Sequence, residues 1–441
     1  MKLSDLQGIL RDNGIVGAGG AGFPTYAKLS EAADTVILNC AECEPLLKLH
    51  RQVLSTHPQE IFEALQIILK TVNAKRVCIA LKKSYVATAE AIKPYLEFFE
   101  NIEICLLDDV YPIGDEVILT YEVTGRIVPP GDIPLSVGVM VLNVETVYNL
   151  YRAMNGRPVT RKYVTIAGEV QNPVTVRVPI GVTVGEILKL AGEITTPDPA
   201  FIIGGPMMGT LGSEANIVTK TTNAVLVLPS SHSLVRRRQS KTFIDMKRAM
   251  AACCQCSYCT SLCSRNLLGH PIDPSEFMRV ASNSITNDAA PYLNAMYCSG
   301  CGLCEQYSCV QNLSPRMLLA ACKGELRKAG VKPTVTKKEL SINPKRPLRQ
   351  VPMSRLTGRI GLTKYNKPAP IIEAVPNFKK VTVLLSQHVG APSVPIVKKG
   401  DEVREKQLIA NAADGLSVAL HSPINGKVTA VGKTAIIIEK Q

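Results

Sequence analysis

The sequence predicts a multidomain α/β protein in which an α/β layer is followed by a small mixed domain, a cysteine-rich helical segment and a terminal all-β module. Three observations carry that prediction. Residues 1–158 alternate helical and strand patterns, cysteines crowd two short runs between Cys253 and Cys309, and the end of the chain is built of short alternating strands parted by Gly and Pro turns. At 441 residues and 46% hydrophobic content, there is material for several cores.

Within 1–158, "LSDLQGIL" reads as a helix, "TVILNC" as a short buried strand, "PQEIFEALQIILKTV" has helical spacing and "KRVCIAL" reads as the next strand. That rhythm predicts a largely parallel sheet. Over 159–235, "KYVTIAGEVQNPVTVRVPIGVTVGEILKLAG" sets strands and Pro/Gly turns before one amphipathic helix, and "FIIGGPMMGT" adds a strand and a glycine turn; together they predict a β-grasp type of domain. The cysteine-rich region spans 240–330, a basic, Pro-dotted connector 331–375, and the all-β module 376–441.

The formal net charge is +13, but aromatic residues are only 5% and Trp is absent, so there is little for bases to stack on and nucleic acid is not an expected partner. Much of the excess lies in "RRRQSK" and in the connector, read as a solvated linker or as a surface for an acidic partner or anionic cofactor. The start "MKLSDLQGILRDNGIVGAGG" interrupts any apolar run, and no later segment runs about 18 apolar residues. The expectation is a cytoplasmic protein with no membrane span, in which crowded thiols are metal ligands rather than disulfides.

Cys253, Cys256, Cys259 and Cys263 read C-x2-C-x2-C-x3-C, and Cys298, Cys301, Cys304 and Cys309 read C-x2-C-x2-C-x4-C. Paired runs of this kind are the bacterial ferredoxin arrangement for two [4Fe–4S] clusters, in which the fourth cysteine of each run crosses to the other cluster. One cluster is therefore assigned to Cys253, Cys256, Cys259 and Cys309, the other to Cys298, Cys301, Cys304 and Cys263. The usual proline after each fourth cysteine is replaced by Ser264 and Val310, and the second run is one residue longer. A pair of zinc sites is the alternative, although zinc favours two separated C-x2-C knuckles. Cys254 reads as a spare thiol, and Cys78, Cys105 and Cys322 as core cysteines.

"GAGGAGFPTYAK" contains G-x-G-x-x-G, but a helical pattern precedes it where a dinucleotide fingerprint needs a strand. The following "TYAKLSEAA" offers a helix N-terminus to a phosphate. The motifs "GAGGAGFPT", "NCAECEP", "YPIGDE" and "LNVET", in that order, resemble the flavin-binding core shared by the NADH-oxidising subunit of respiratory complex I and the C subunit of Rnf-type complexes. The resemblance extends over most of residues 1–330. It implies a complex-I-flavin-subunit-like α/β core, a soluble-ligand-binding β-grasp domain and a two-cluster ferredoxin-like domain. It also implies that Gly17, Gly19, Gly20 and Gly22 line FMN with Lys28 near its phosphate, and that Asn39, Asp115, Glu116 and Asn143 sit at the flavin. Glu42 and Glu44 match acidic positions that contact NADH; a solvated turn after the strand is the alternative for both. Ala18 and Ala41 stand where complex I has an arginine and an aspartate.

The glycine loop lies almost at the start and the β module, with "LSQHVGAP" and "HSPINGKV", at the end, an order closer to the cobalamin reductases of propanediol-utilisation bacterial microcompartments. That resemblance implies a barrel-sandwich hybrid-like terminal module. It also implies NADH-driven reduction of cobalamin through FMN and two [4Fe–4S] clusters, yielding the Co(I) state for adenosylcobalamin. Corrinoid adenosyltransferase and microcompartment shell proteins become expected partners, and the lumen of a microcompartment the expected location. The alternatives are an Rnf C-like electron-input subunit for another redox partner, and an interaction protein whose cofactors have lost function. "SPINGKV" lacks the Met-Lys-Met turn of lipoyl and biotinyl carriers, so the module reads as a docking piece. His388 and His421 read as structural rather than as cobalt ligands.

Overall fold

The computed structural model describes residues 1–283, 287–335, 340–374 and 376–440. Its first core is laid down by α1 (Leu3–Asp12), β1 (Thr35–Asn39), α2 (Leu49–Thr56), α3 (Pro58–Thr71), β2 (Arg76–Lys82), α4 (Val86–Ile92), β3 (Ile102–Leu107), β4 (Val110–Tyr111), α5 (Glu116–Thr124), β5 (Val139–Asn143) and α6 (Val144–Met154). In α3, Ile61, Phe62, Leu65, Ile68 and Leu69 recur at helical spacing and are buried, and Pro58 starts the helix where no N–H is needed. Strands covered on both faces read as continuous apolar runs, which is why "TVILN" and "RVCIALK" lack alternation.

The sheet is all parallel, in the order β3-β2-β1-β5. The chain leaves β1 toward β2 on one side and returns to β5 on the other, so the strand order reverses between β1 and β5. Outside the carboxyl ends of such strands lies the crevice in which open α/β sheets bind ligands. Asn39 and Asn143, the last residues of β1 and β5, are register partners at that edge.

One local expectation fails beside it. The helix expected over "TYAKLSEAA" is a single turn of 3-10 helix, Thr25–Lys28, and Leu29 is already extended. Phe23 precedes Pro24 and is biased away from helix. A bridge between Val16 and Pro24, with Gly17 N–H donating to Phe23 O at 2.9 Å, closes the glycine loop on itself. Leu29 is drawn into the first core instead of extending the turn.

The second body holds β6 (Arg161–Gly168), β7 (Val174–Pro179), α7 (Val184–Leu188), β8 (Pro199–Ile203), β9 (Thr210–Gly212) and β10 (Ala224–Pro229), paired as β7-β6-β10-β8-β9. The amphipathic helix is only five residues long, with Thr183 and Glu186 forming a capping box. The terminal module is two small sheets, built on Lys380–Leu384 and Leu408–Asn411. Its core is continuous with the second body: Val164, Val176 and Val182 belong to the same cluster as Val381, Ile436 and Ile438. Helices Thr242–Ala252, Pro274–Asn283 and Pro315–Lys328 pack around Phe277 and Leu318 to frame the cysteine region.

The connector is not a solvated linker. Val351–Pro352 pairs with β4, and Ile371–Ile372 adds an edge strand to β7. Leu356, Ile360, Leu362 and Tyr365 enter a core shared with Leu226, Leu228 and Leu234. Two of its basic groups are paired within the chain, buried Arg346 on Glu122 and exposed Lys364 on Glu169 at 2.9 Å. The apolar residues interleaved among the charges turn one face inward while the charged heads reach outward. Residues 336–339 and 375 of this segment lie outside the described ones. Among the described residues, no helix is long and apolar enough to cross a membrane.

Candidate functional site

The glycine loop faces the β1/β5 crevice. A Cβ on Gly19 would fall 2.4 Å from Asn143 Nδ2, whereas one on Gly20 would meet nothing within 4 Å. Gly19 is thus required by the protein's own packing, while Gly20 borders open space. Gly22 has φ +74°, and a Cβ there would press Thr221 and His388. Ala18 N–H donates to Thr146 Oγ1 at 3.0 Å, tying the loop to α6.

The "NCAECEP" and "YPIGDE" loops interlock beside it. Asn39 Nδ2 donates to Gly114 O at 2.9 Å, its Oδ1 accepts from Ala41 N–H at 3.1 Å, and Gly114 N–H points at Cys43 Sγ at 2.8 Å. Gly114 has no room for a side chain, since a Cβ would lie 2.2 Å from Ala41 O. Lys28 and Glu116 are brought together at 2.7 Å. Asp115 caps α5 and is held by Arg265, whose Nη2 reaches both carboxylate oxygens at 2.8 Å.

The two glutamates behave differently. Burial holds both carboxyls above their usual range. Glu44 is turned into the "GGPMMG" turn of the second body, where Met207 and Met208 N–H groups donate to its two oxygens at 2.7 and 2.8 Å. A carboxylate so occupied anchors one domain to the next. Glu42 accepts from His50 N–H at 2.8 Å, and its other oxygen is buried without a hydrogen-bond partner. Neither side chain is the solvated turn residue that the local pattern allows.

His50 was not signalled by the sequence. Its Nε2 lies 2.9 Å from Asn143 Nδ2, and Asn143 also caps α6 by accepting from Glu145 N–H at 2.9 Å. Burial, helped by the charge of Lys162, pushes the His50 pKa down to about 3. The neutral ring accepts from the amide and fixes which way Asn143 points. Lys162 itself is buried against Glu145 behind α6.

Cys253, Cys256, Cys259 and Cys309 line one cavity, together with Met278, Leu313 and Pro315. Cys263, Cys298, Cys301 and Cys304 are gathered in a second group, close enough that the neighbouring thiols add to burial in raising the Cys304 pKa. Burial pushes Cys259 and Cys263 up to about 12 and Cys301 up to about 11. Among the described residues, the one group of three or more donors lying within 4.8 Å of one another is elsewhere, at Cys78, Glu103 and Cys105. No three of the eight thiols therefore lie within 4.8 Å of one another. Cys254 is exposed and also borders the first cavity. The second group adjoins the loop that carries Asp115, because Arg265 follows Cys263 by two residues and Tyr111 OH donates to Cys301 O.

Comparison with known proteins follows this division. A Nuo51 FMN-binding domain model matches residues 10–152, an SLBB domain 163–211, a 4Fe-4S dicluster domain 252–314 and an RnfC barrel sandwich hybrid domain 362–441. The chain is 39% identical to the cobalamin reductase PduS of Salmonella typhimurium over 99% of its own length and 97% of that protein. The chain belongs to the PduS cobalamin reductase family. The PduS of Citrobacter freundii is 38% identical over 97% of this chain and 95% of its own. The C subunit of an ion-translocating oxidoreductase complex from Erwinia tasmaniensis is 31% identical over 61% of this chain but only 33% of that subunit.

In this PduS-family chain the terminal module touches the glycine loop directly. Val389 N–H donates to Gly22 O at 3.2 Å, and buried Lys220 links Gly14 O at 2.6 Å to Ala419 O at 3.3 Å. His388 Nε2 sits 3.0 Å from Ala391 O, and burial holds His421 down at about 4. Both histidines are packed into the module.

Proposed function

We propose that this oxidoreductase transfers electrons from NADH, through FMN and two [4Fe–4S] clusters, to cob(II)alamin, giving Co(I) for adenosylcobalamin. FMN supplies two-electron acceptance with one-electron release, and the clusters carry single electrons. The residues present fit these groups: open space at Gly20, a buried Glu42 oxygen with no hydrogen bond and Arg51 at 3.9 Å, and eight thiols in two groups.

The backbone of Gly17, Gly19, Gly20 and Gly22 cradles the flavin at the strand-order reversal, with Asn39 and Asn143 at the sheet edge and Lys28 and Glu116 alongside. Asn143 is oriented by His50. Glu42 is the acid left to meet the nucleotide, and Glu44 holds the neighbouring domain in register. Asp115, gripped by Arg265, fixes the inner cysteine group against the flavin side. The observation that carries the reading is this contiguity: Tyr111 and Asp115 of the flavin domain bond directly to the inner cysteine region, and the outer region opens to the surface at Cys256 and Tyr258. Electron exit is therefore assigned to the outer group. Microcompartment lumen, adenosyltransferase and shell proteins follow as the setting implied by the PduS relatives.

The test is an anaerobic NADH titration of the cluster-replete, FMN-loaded protein, read by visible spectroscopy and EPR, followed by cob(II)alamin. Flavin bleaching, cluster signals and trapped Co(I) are expected. Reduction of the centres without reduction of cobalt would transfer the assignment to an electron-input subunit for another acceptor, the reading that the ion-translocating C-subunit relative favours. No reduction by NADH would overturn the donor site.

A further inference from the structure

Beyond the eight cluster thiols, β3 is the edge strand of the flavin-domain sheet, and its outer face is only partly covered. Cys78 on β2 is the register partner of Glu103 on β3, and Cys105 stands two residues further along β3 on the same face. The Cys78 thiol donates to Glu103 Oε1 at 3.2 Å. The two sulfurs and the carboxylate oxygen all lie within 4.8 Å of one another. From this convergence we propose that Cys78, Cys105 and Glu103 form a binding site for a thiophilic divalent cation of the zinc type.

Two thiols this near raise the question of a disulfide. Both cysteines are free thiols here, and a disulfide would need the sulfurs to close to about 2.05 Å. An ion inserted between the sulfurs needs no such approach, because each metal–sulfur bond adds about 2.3 Å. Burial is graded in the way such a site needs. Cys78 is sealed in the sheet, Cys105 is half-buried and Glu103 is exposed, so three donors come from the protein and the fourth position opens to water. Contact with Cys78 holds the Cys105 thiol below its usual range and the Cys78 thiol above it. Binding releases the thiol protons, so affinity rises with pH. Arg76, 3.0 Å from Glu103 Oε1, is the competitor that the ion must displace.

The experiment uses the cluster-replete protein with zinc sulfate alone, competed against a chromophoric chelator, with zinc and iron counted by mass spectrometry. One zinc per chain above the iron content is expected, with visible cluster absorbance unchanged. Cys105→Ser should weaken binding at least tenfold and Glu103→Gln severalfold. Arg76→Ala should strengthen it severalfold, a gain that misfolding does not produce. Zinc that displaces iron, zinc affinity unchanged in Cys105→Ser, an Arg76→Ala variant with no gain, or a Cys78–Cys105 disulfide in non-reduced peptides would each overturn the site.

Discussion

In the outer cysteine loop, Gln255 and Ser257 flank the middle cysteine with φ of 51° and 59°; in the inner loop the equivalent residues are Gly300 and Gly302, at 74° and 79°. The same left-handed pair recurs because three thiols two residues apart must turn toward one centre. Only the inner loop uses the residue type for which that backbone is free of steric cost. The surroundings explain the choice. Leu303 and Cys304 are buried against the second body, Arg237 donates to Glu305 O at 2.6 Å, and Arg316 bonds Met207 O across the boundary. A Cβ on Gly302 would meet Arg316 at 3.4 Å. The outer loop has solvent beside Cys256, Ser257 and Tyr258, so side chains fit and only the backbone is strained. One loop is built to be enclosed and the other to face solvent.

The largest effect that would break this comparison comes from removing one ligand from each loop. Cys301→Ser should lower NADH-driven cobalamin reduction at least 100-fold while NADH still bleaches the flavin. Cys256→Ser should lower it as far but leave one NADH-reducible cluster in EPR. Unchanged turnover in Cys256→Ser would remove the outer loop from the path.

Next in size is the clamp that joins the flavin side to the inner loop. Arg265→Ala leaves Asp115 half-buried without its cation and should cost about 2 kcal/mol in denaturant unfolding. It should slow flavin-to-cluster transfer in stopped flow, with Arg265→Lys recovering only part because the two-oxygen grip is lost.

Acid should separate the flavin entry from the cysteine loops. His50 has a folded pKa near 3 against 6.5 unfolded. Its contribution is therefore intact above about pH 6.5 and is lost as pH falls toward 3, at about 1 kcal/mol per pH unit. The stability of wild type relative to His50→Gln should decline between pH 6.5 and 5, while FMN affinity holds over that range because the folded His50 ring stays neutral. A parallel pH profile in the two proteins would remove His50 from that role.

The smallest effect sharpens the comparison itself. No neighbour lies within 4 Å of a Cβ on Gly300, so Gly300→Ala measures backbone cost alone and should destabilise by about 1 kcal/mol. Ser257→Gly in the outer loop should stabilise by about 0.5 kcal/mol, read as a shift in denaturation midpoint.

The extra residue of the inner run shows how sequence and structure divide the explanation. The spacing C-x4-C was visible as one extra residue. The structure absorbs the insertion as a π-helical turn over Cys304–Ser308, where the outer run has an ordinary short helix at Tyr258–Ser261. Similarly, "KKELSINPKRPLRQ" displayed its charge plainly. The pairing of Arg346 with Glu122, 224 residues away, was invisible in it.

By itself the sequence determined the parallel sheet, the glycine loop and the two runs of thiols. These are matters of local periodicity and of turns a few residues long, in which neighbours in the chain are neighbours in space. Only the tertiary structure decided that Glu44 anchors a turn 163 residues away, that Asp115 grips Arg265, that His50 orients Asn143 and that one cysteine loop is enclosed while the other is open. Those outcomes depend on which faces pack together and exclude water, and a buried carboxylate or imidazole takes its partner from whatever packing brings within reach.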